Sequence, residues 1–336
     1  MKRAIQIFIS IILLVILIYW IDFKQIQVSL TEARYLYLVA ALIIITLDRI
    51  LMGLKWKILL EVKKINISLL HATKIYYMSN FLGLFLPPTI GTDLVRAYCV
   101  SKNGGKMKMH DIFASIVIER YLGFLGIFIT GLLGCIYMFH FVSIESIDLY
   151  TISVVVSILT LFISVGFFIS MNKKIIRMIK SILCKFRHNK ILKKILIKVN
   201  GFLDSYAHYS NHKTVLTISI LLTFFEIFLV VLWTYAIALG LNISVSLLYF
   251  MAFVPINLIL VRLPISLDGF GINEASYVYF LAAIGISEAL SFSLGIINHF
   301  ITIIAIIPGG IFWAVFKNEN EIERLELSKI QNEFAE

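Results

Sequence analysis

Cysteine is scarce in this sequence. Its three residues, Cys99, Cys135 and Cys184, are scattered along a chain of 336 residues. Disulfide-rich domains and structural zinc sites need cysteines that recur at short spacings. The sequence therefore indicates neither a disulfide framework nor a cysteine metal site, and no metal or cofactor is expected.

The short motifs of common enzyme classes are also missing. No phosphate-binding loop ends in Gly-Lys-Ser/Thr, so direct use of ATP is not expected. Gly269 and Gly271 follow no strand–helix–strand pattern and do not form a dinucleotide loop. No Ser, His and Asp set has the context of a hydrolase triad. His299 has no second His or Cys at metal-ligand spacing, which favours a packing role.

Charge is sparse as well. Only 15% of the residues are charged and 60% are hydrophobic, whereas a soluble domain has about 25% charged residues. The mean hydropathy is +0.93. Since a span needs about 20 apolar residues, the composition predicts an all-α polytopic membrane helix bundle of about eight spans, with no room for a soluble enzyme domain.

Eight apolar stretches account for these spans. They run approximately from Ala4 to Ile21, Tyr35 to Leu54, Ile112 to Phe139, Tyr150 to Ser170, Thr214 to Leu239, Leu247 to Val261, Ile272 to Ile286 and Leu290 to Phe316. The membrane domain is thus residues 1–316, followed by a charged cytoplasmic tail, 317–336. Asp48 and Arg49 are expected near the cytoplasmic surface, where they can reach water.

The net charge of +10 comes from Lys and Arg in a few loops. Cytoplasmic loops of membrane proteins carry this excess, so it indicates topology rather than nucleic-acid binding. Both termini are expected in the cytoplasm, as in a multi-pass protein of the cell (inner) membrane. The longest basic loop, 172–213, has apolar residues at helical spacing, typical of an amphipathic helix on anionic lipids. The alternative is that its charges serve topology and surface anchoring only.

The most unusual stretch runs from Asn80 to Lys102. It is apolar, breaks at Pro87-Pro88 and passes Gly91, and then places Asp93 and Arg96 three residues apart, where they can pair on one helical face. Irregular backbone at membrane depth is tolerated only against protein or a water-filled cavity. The stretch predicts a re-entrant or discontinuous helix that lines a cavity. A plain surface loop is the alternative.

A second stretch, Leu263 to Ala275, resembles the part of the first from Leu86 to Ala97. Each has Leu-Pro, then a turn with glycine, then an acid that opens a helix. In the second stretch these residues are Pro264, Gly269, Gly271 and Glu274, with a further acid at Asp268. Paired interruptions in two halves of a membrane protein are typical of transporters with internal repeats and a central site.

Ionisable residues within apolar segments are the candidate substrate-binding residues, because each costs about 2.5–3.5 kcal/mol at the centre of a span. They are Asp93, Arg96, Glu119, Arg120, Glu226, Arg262 and Glu274. The three arginines can hold a phosphate headgroup through paired hydrogen bonds. The acids at 93 and 274 can compensate the arginines or contact a cationic headgroup. Glu226 can either relay protons or remain neutral and hydrogen-bonded.

The chain resembles the transmembrane-region family of lysylphosphatidylglycerol synthases, also called flippase-like membrane proteins. The resemblance covers about Ala4 to Phe316. It is carried by Leu86-Pro87 with Gly91, Asp93 and Arg96, by Glu119-Arg120 with Gly123, by Arg49 with Trp56, and by Pro264 with Gly269, Gly271 and Glu274. Thr92 departs from the pattern, which commonly has a second glycine there. The resemblance implies lipid handling or translocation. Because the sequence has no aminoacyl-transferase domain, lysyl transfer by this polypeptide is not expected.

Three hypotheses follow. The first is a lipid translocase that binds an anionic phospholipid or polyprenyl-linked headgroup in a polar cavity. The second is a membrane-embedded enzyme or enzyme subunit that acts on a lipid-linked or glycolipid substrate, with Asp93 or Glu274 as base or metal ligand. The third is an accessory protein that docks a soluble synthase or glycosyltransferase through its basic loop. The lipid, the direction, the energy source and the oligomeric state are not fixed by the sequence.

Overall fold

The computed structural model describes residues 31–86, 90–102, 108–141, 147–184, 190–262, 266 and 269–318. The predicted first span, most of the charged tail, Pro87, Pro264 and Asp268 lie outside these ranges. The described residues form helices and connecting turns, with no strand among them. The predicted all-α membrane bundle is confirmed.

Eleven helices are numbered here in chain order within the described ranges. They are α1 Tyr35–Glu61, α2 Leu69–Gly83, α3 Ile90–Lys102, α4 Met109–Phe141, α5 Ile147–Ser170, α6 Lys173–Cys184, α7 Lys190–His208, α8 Lys213–Gly240, α9 Leu247–Val261, α10 Ile272–Ala282 and α11 Glu288–Ile306. After one turn residue, α11 continues as a further helical segment, 308–318. Pro308 explains this interruption, since it has no N–H to continue the helical ladder.

Five helices are long and apolar enough to cross a membrane: α1, α4, residues Thr151–Ser170 of α5, α8 and α11 with its continuation. The helices α2, α3, α9 and α10 have only 15, 13, 15 and 11 residues. At 1.5 Å per residue they reach about 16–23 Å, less than the apolar thickness of about 30 Å. The predicted number of eight crossings therefore stays a prediction.

The four short helices form two antiparallel hairpins. In the first hairpin, the Arg96 guanidinium lies 4.4 Å from the Tyr76 ring, and Gly83 lies beside Thr92 near the tip. In the second hairpin, α9 and α10, Asn257 Nδ2 donates to Asn273 Oδ1 at 3.0 Å. The described residues of the two predicted broken segments belong to these hairpins. The side from which each enters the membrane stays a prediction.

The last helix of the second hairpin, α10, is shorter than the predicted span seven. Span seven was predicted to reach Ile286, but α10 ends at Ala282. Gly285 adopts a φ of 84°, and the Ile286 N–H turns back to the carbonyl of Leu281 at 3.1 Å. Glycine adopts this left-handed conformation at little cost and commonly ends a helix in this way.

The two halves of the chain repeat the same order of helices. Helices of 27, 15, 13 and 33 residues (α1 to α4) recur as 28, 15, 11 and 31 residues (α8 to α11 with its continuation). Ser68 and Ser246 cap the first short helix of each half. Four residues before each cap, Lys64 and Asn242 have a φ of 59° and 58°.

The halves run in opposite directions. The Arg34 N–H, at the start of α1, donates to the carbonyl of Gly240 at the end of α8 at 2.8 Å. Since α1 and α8 are antiparallel, the hairpins that follow them begin at opposite ends of this central pair. Inverted repeats of this kind are a common plan of membrane transporters.

Each half also packs its long last helix on the first short helix of the other half. A Cβ on Gly134 of α4 would overlap the carbonyl oxygen of Ala252 in α9. A Cβ on Gly309, in the continuation of α11, would likewise overlap the carbonyl oxygen of Tyr77 in α2. Small residues allow such close backbone approach between helices, and they join the two halves into one bundle.

Candidate functional site

The first hairpin brings Asp93 to Arg120 of α4. Arg120 donates two hydrogen bonds to the carboxylate, from Nε at 2.6 Å and from Nη2 at 2.8 Å. Its Nη2 also contacts Thr92 Oγ1 at 3.1 Å. Asp93 lies in the first turn of α3, where the helix dipole favours an anion. The predicted contact with Arg96 is present but looser, at 3.9 Å.

The guanidinium of Arg96 packs against two aromatic rings. Its guanidinium carbon is 4.2 Å from the Trp56 ring and 4.4 Å from the Tyr76 ring. Glu119 of α4 forms an ion pair with Arg96 and accepts a hydrogen bond from the Tyr76 hydroxyl. Arg96 and Glu119 are each 5% exposed, so this pair connects α3 to α4 inside the protein.

A third set of charges lies between α1 and α8. Lys55 forms an ion pair with Glu226 and reaches Thr223 Oγ1 at 3.5 Å. Lys55 is 2% exposed. Lys55 is not among the candidate residues named from the sequence. The signal was its spacing, since Asp48, Met52 and Lys55 recur at i, i+4 and i+7 on one helical face.

The expected position of Asp48 near the surface was wrong. Asp48 lies at the middle of α1 and is 1% exposed. The reason is that α1 extends to Glu61, seven residues beyond the predicted end of this span. Arg49 lies beside Asp48, with 3.9 Å between Nε and Oδ2.

Arg262 follows the last residue of α9 and is exposed. Its guanidinium lies 5.5 Å from the ring of Phe124 in α4, and Glu226 and Arg120 are within electrostatic range. No carboxylate of the described residues lies within ion-pair distance of it. Arg262 is thus an accessible cation close to the paired charges of α3, α4 and α8.

No described residue covers the face of α4 at Gly123, next to Arg120. A Cβ on Gly123, one turn after Arg120, would meet no atom of the described part of the chain within 4 Å. Phe124 is partly exposed, and Arg120 retains about a third of its side-chain exposure. The arginines at 120 and 262 therefore border a space that other groups can enter.

Comparison with known proteins identifies the family. The sequence profile of the lysylphosphatidylglycerol synthase TM region matches residues 4–310. The chain belongs to this family. It is 21% identical over 329 residues to a UPF0104 membrane protein of Pyrococcus horikoshii, covering 95% of this chain and 98% of that protein. A UPF0104 membrane protein of Methanothermobacter thermautotrophicus is 21% identical over 311 residues, covering 90% and 91%. No solved structure matches.

The family marks of the second hairpin form a separate cluster. Glu274 is buried and accepts hydrogen bonds from Gly271 N at 2.6 Å and Asn273 Nδ2 at 3.4 Å. His299 Nδ1 lies 3.2 Å from Glu274 Oε1, and the Phe270 ring stacks on the imidazole at 3.7 Å. Among the described residues, no hydrogen bond or ion pair joins Glu274 to the three arginines. Its role as a headgroup ligand stays a prediction.

The glycines that mark the broken segments are required by their surroundings. Gly269 and Gly271 have φ values of 79° and 84°, which disfavour any residue with a Cβ. A Cβ on Gly91 would overlap the side chain of Leu86. Left-handed backbone at Gly269 and Gly271 precedes α10 in the second hairpin, whereas the missing side chain of Gly91 lets the start of α3 approach Leu86 closely.

Proposed function

We propose that this member of the lysylphosphatidylglycerol synthase TM family is a lipid translocase. It binds the anionic headgroup of a phospholipid, or of a lipid-linked substrate, in the polar space bordered by α3, α4 and the end of α9. The acyl chains remain in the surrounding lipid. The observation that carries this proposal is Arg262, an accessible guanidinium near Arg120 on an open face of the bundle.

The charge arrangement favours an anionic ligand. Arg96 is balanced by Glu119, Arg120 by Asp93 and Lys55 by Glu226. Arg262 adds a positive charge with no ion-pair partner among the described residues. A phosphate matches the fork of a guanidinium through two hydrogen bonds, and it would supply the missing negative charge.

The roles of the two accessible arginines differ. Arg262 would make the first contact with the headgroup. Arg120 would join it by exchanging part of its contact with Asp93 for the phosphate. Arg96 and Glu119 would hold α3 against α4 and so set the position of Asp93. Gly123 would leave room for the headgroup beside α4.

The inverted halves support movement of this site between leaflets. In transporters with inverted repeats, rocking or gating of one half against the other exposes a central site alternately to each side. Here the two hairpins begin at opposite ends of the α1–α8 pair. One hairpin can therefore face each side of the membrane, with the polar site between them.

The test is the lipid content of the purified protein. Mass spectrometry should find one anionic lipid class enriched over the bulk membrane in the wild type, and depleted at least about tenfold in Arg262→Ala, as expected when a charged contact is lost. Lys174→Ala is the matched control, since Lys174 is an exposed cation of α6 far along the chain from the site. It should retain the lipid.

Equal lipid content in wild type and Arg262→Ala would contradict headgroup binding at this site. A bound lipid that is chemically converted on addition of a divalent metal would instead favour the membrane-embedded enzyme. Loss of function in variants of the basic loop alone would favour the accessory role, with a soluble synthase or glycosyltransferase as partner.

A further inference from the structure

Asp48 is a buried carboxylate that the proposed headgroup site does not use. It faces Glu226 across the α1–α8 pair, and each acid occupies the same place in its helix, counted from the first residue. Because the two helices are antiparallel, both acids lie at the centre of the inverted repeat. An ionisable residue at such a place is by default a functional candidate.

The surroundings of Asp48 provide few hydrogen-bond donors to its carboxylate. Its Oδ1 is buried and has no hydrogen-bond partner. Its Oδ2 is 3.9 Å from Arg49 Nε, which also lacks a hydrogen-bond partner. Arg49 instead directs Nη1 at Met52 Sδ, at 3.3 Å. A buried carboxylate with so few donors is strongly disfavoured in its charged form.

Three charged groups act on Asp48. They are Arg49 and Lys55 of its own helix and Glu226 of α8. The charge of Lys55 is already engaged by Glu226. The other helices packed against α1, namely α2, α4 and α11, add no charged group within electrostatic range among the described residues. Glu226 opposes a second negative charge at Asp48, as in other carboxylate pairs that share a site.

We propose that Asp48 is a proton-binding site inside the membrane, and that its proton is taken up together with the anionic headgroup. A hydronium ion transfers one proton to a carboxylate oxygen of Asp48, so that one O–H bond forms, one O–H bond of the hydronium breaks and water is released. The coupling part rests on the proposed function. The proton-binding part stands on the geometry of Asp48 alone.

The sign of the coupling follows from Glu226, which lies within electrostatic range of both Arg262 and Asp48. An anionic headgroup bound to Arg262 offsets the positive charge of that arginine. The ionised form of Asp48 then becomes less favourable, and the neutral form more so. By linkage, protonation of Asp48 strengthens headgroup binding by the same factor.

Infrared difference spectroscopy tests the proton site without any ligand. The purified protein is titrated from about pH 5 to about pH 9, a range that brackets neutrality, and the C=O stretch of a protonated carboxylic acid is followed. Wild type should show a pH-dependent band that is absent in Asp48→Asn. A band that persists unchanged in Asp48→Asn would overturn the proton site.

A second variant covers the case in which Asp48→Asn does not fold. Glu226→Gln removes the opposing negative charge and frees Lys55 to compensate Asp48. The Asp48 band should then titrate at lower pH than in the wild type. A titration at unchanged or higher pH would contradict the proposal. Both variants are checked for a single symmetric peak in size-exclusion chromatography.

Lipid binding tests the coupling. Phosphatidylglycerol in detergent micelles is the probe, because its phosphodiester keeps one charge over this range, and phosphatidylcholine is the zwitterionic control. Affinity should rise about fivefold or more as the pH falls, a typical coupling factor. Asp48→Asn should bind at all pH values as the wild type binds at low pH.

The outcomes separate the two ideas. The same pH dependence in wild type and Asp48→Asn would overturn the coupling. No binding of phosphatidylglycerol at any pH would count against the proposed function and the coupling together. In that case the infrared result alone would still decide whether Asp48 binds a proton.

Discussion

Arg120 forms a bidentate ion pair with Asp93, with N···O distances of 2.6 and 2.8 Å. This contact joins the tip of the first hairpin to the long helix α4. The carboxylate is mostly buried, whereas the guanidinium keeps about a third of its side chain exposed. The pair therefore positions the hairpin, and the partly exposed Arg120 borders the face of α4 beside Gly123.

Substitution of this arginine by lysine should weaken the connection between α3 and α4. A lysine keeps the charge but cannot form two parallel hydrogen bonds to one carboxylate. We expect Arg120→Lys to lower the free energy of unfolding by about 2 kcal/mol, the scale of hydrogen bonds to charged groups. Thermal or denaturant unfolding in detergent measures this.

The double variant provides the control for that effect. Asp93→Asn combined with Arg120→Lys should be about as stable as Asp93→Asn alone. In Asp93→Asn the guanidinium of Arg120 has already lost its carboxylate partner, so its replacement by lysine costs little more. Strictly additive effects of the two substitutions would show that the pair does not act as a unit.

Arg96 and Arg262 should respond differently to removal. Arg96→Ala leaves Glu119 buried without its cation, which typically costs about 3–5 kcal/mol. We expect that variant to unfold or to be recovered in low yield. Arg262→Ala leaves no buried carboxylate unpaired among the described residues, and should unfold like the wild type while losing bound lipid.

The compensated variant Arg96→Met with Glu119→Gln separates charge from packing. It removes both buried charges and keeps side chains of similar length, so most of the lost stability should return. If the double variant were as unstable as Arg96→Ala, the aromatic contacts with Trp56 and Tyr76 would be the main contribution of Arg96.

The membrane bundle and its interruptions follow from the sequence because they depend on local patterns. Apolar runs predict long helices, and the Gly and Pro residues around Gly91 and Gly269 predict broken segments. The pairing of charges depends on tertiary packing. Asp93 and Arg96 are neighbours on one helix, so spacing predicts their contact. Arg120 is the closer partner because the hairpin folds back on α4, which no local spacing reports.

Other differences between the predicted and the observed structure arise where the helices end. The basic residues after Leu54 predict the end of a span, but α1 continues to Glu61 because Lys55 finds a buried partner in Glu226. Its partner lies 171 residues away along the chain. The same continuation moves Asp48 to the centre of the helix. Long-range ion pairs thus override the rule that places cations outside the apolar core.

Because the two halves pack closely at Gly134, one added methyl group there should lower the stability of the protein. Gly134→Ala would push α4 away from the Ala252 carbonyl, and overpacking of this kind costs about 1–3 kcal/mol. The matched control is Gly123→Ala on the same helix, where the added methyl group meets no described atom within 4 Å. Unfolding measurements should show a loss for the first and none for the second.

Gly123 also allows a test of the open space itself. Gly123→Leu should leave the fold intact and reduce the lipid bound beside Arg120, because the larger side chain enters the space proposed for the headgroup. Full lipid content in Gly123→Leu would place the headgroup elsewhere.

The basic helix α6 should lie on the lipid surface. Met178 is more than half exposed, while Ile176 packs into the protein and Lys174 is exposed. Apolar and cationic side chains exposed on one surface helix are typical of the membrane interface. Ile179 is partly exposed on the apolar face of this helix, and Arg177 is exposed about 200° around the helix from it. A spin label at position 179 should be accessible to oxygen dissolved in lipid, and one at position 177 to a water-soluble nickel reagent. Equal access of the nickel reagent to both labels would contradict this placement.

His208, in the last turn of α7, predicts a loss of stability in mild acid. Burial, and then the charges of Lys63 and His212, lower the pKa of His208 below its ordinary value of 6.5. The rings of His208 and His212 are 4.8 Å apart, so a second positive charge there is unfavourable. Asp111 opposes this effect only in part.

The unfolded chain therefore binds a proton at His208 at a higher pH than the folded protein does. This contribution to stability is complete above about pH 6.5 and is lost as the pH falls toward the lowered pKa. The melting temperature should decrease over that interval, and less so in His208→Asn. His212→Asn should also flatten the profile, because it removes one of the charges that disfavour the imidazolium. Identical profiles in all three proteins would assign the acid sensitivity to other groups.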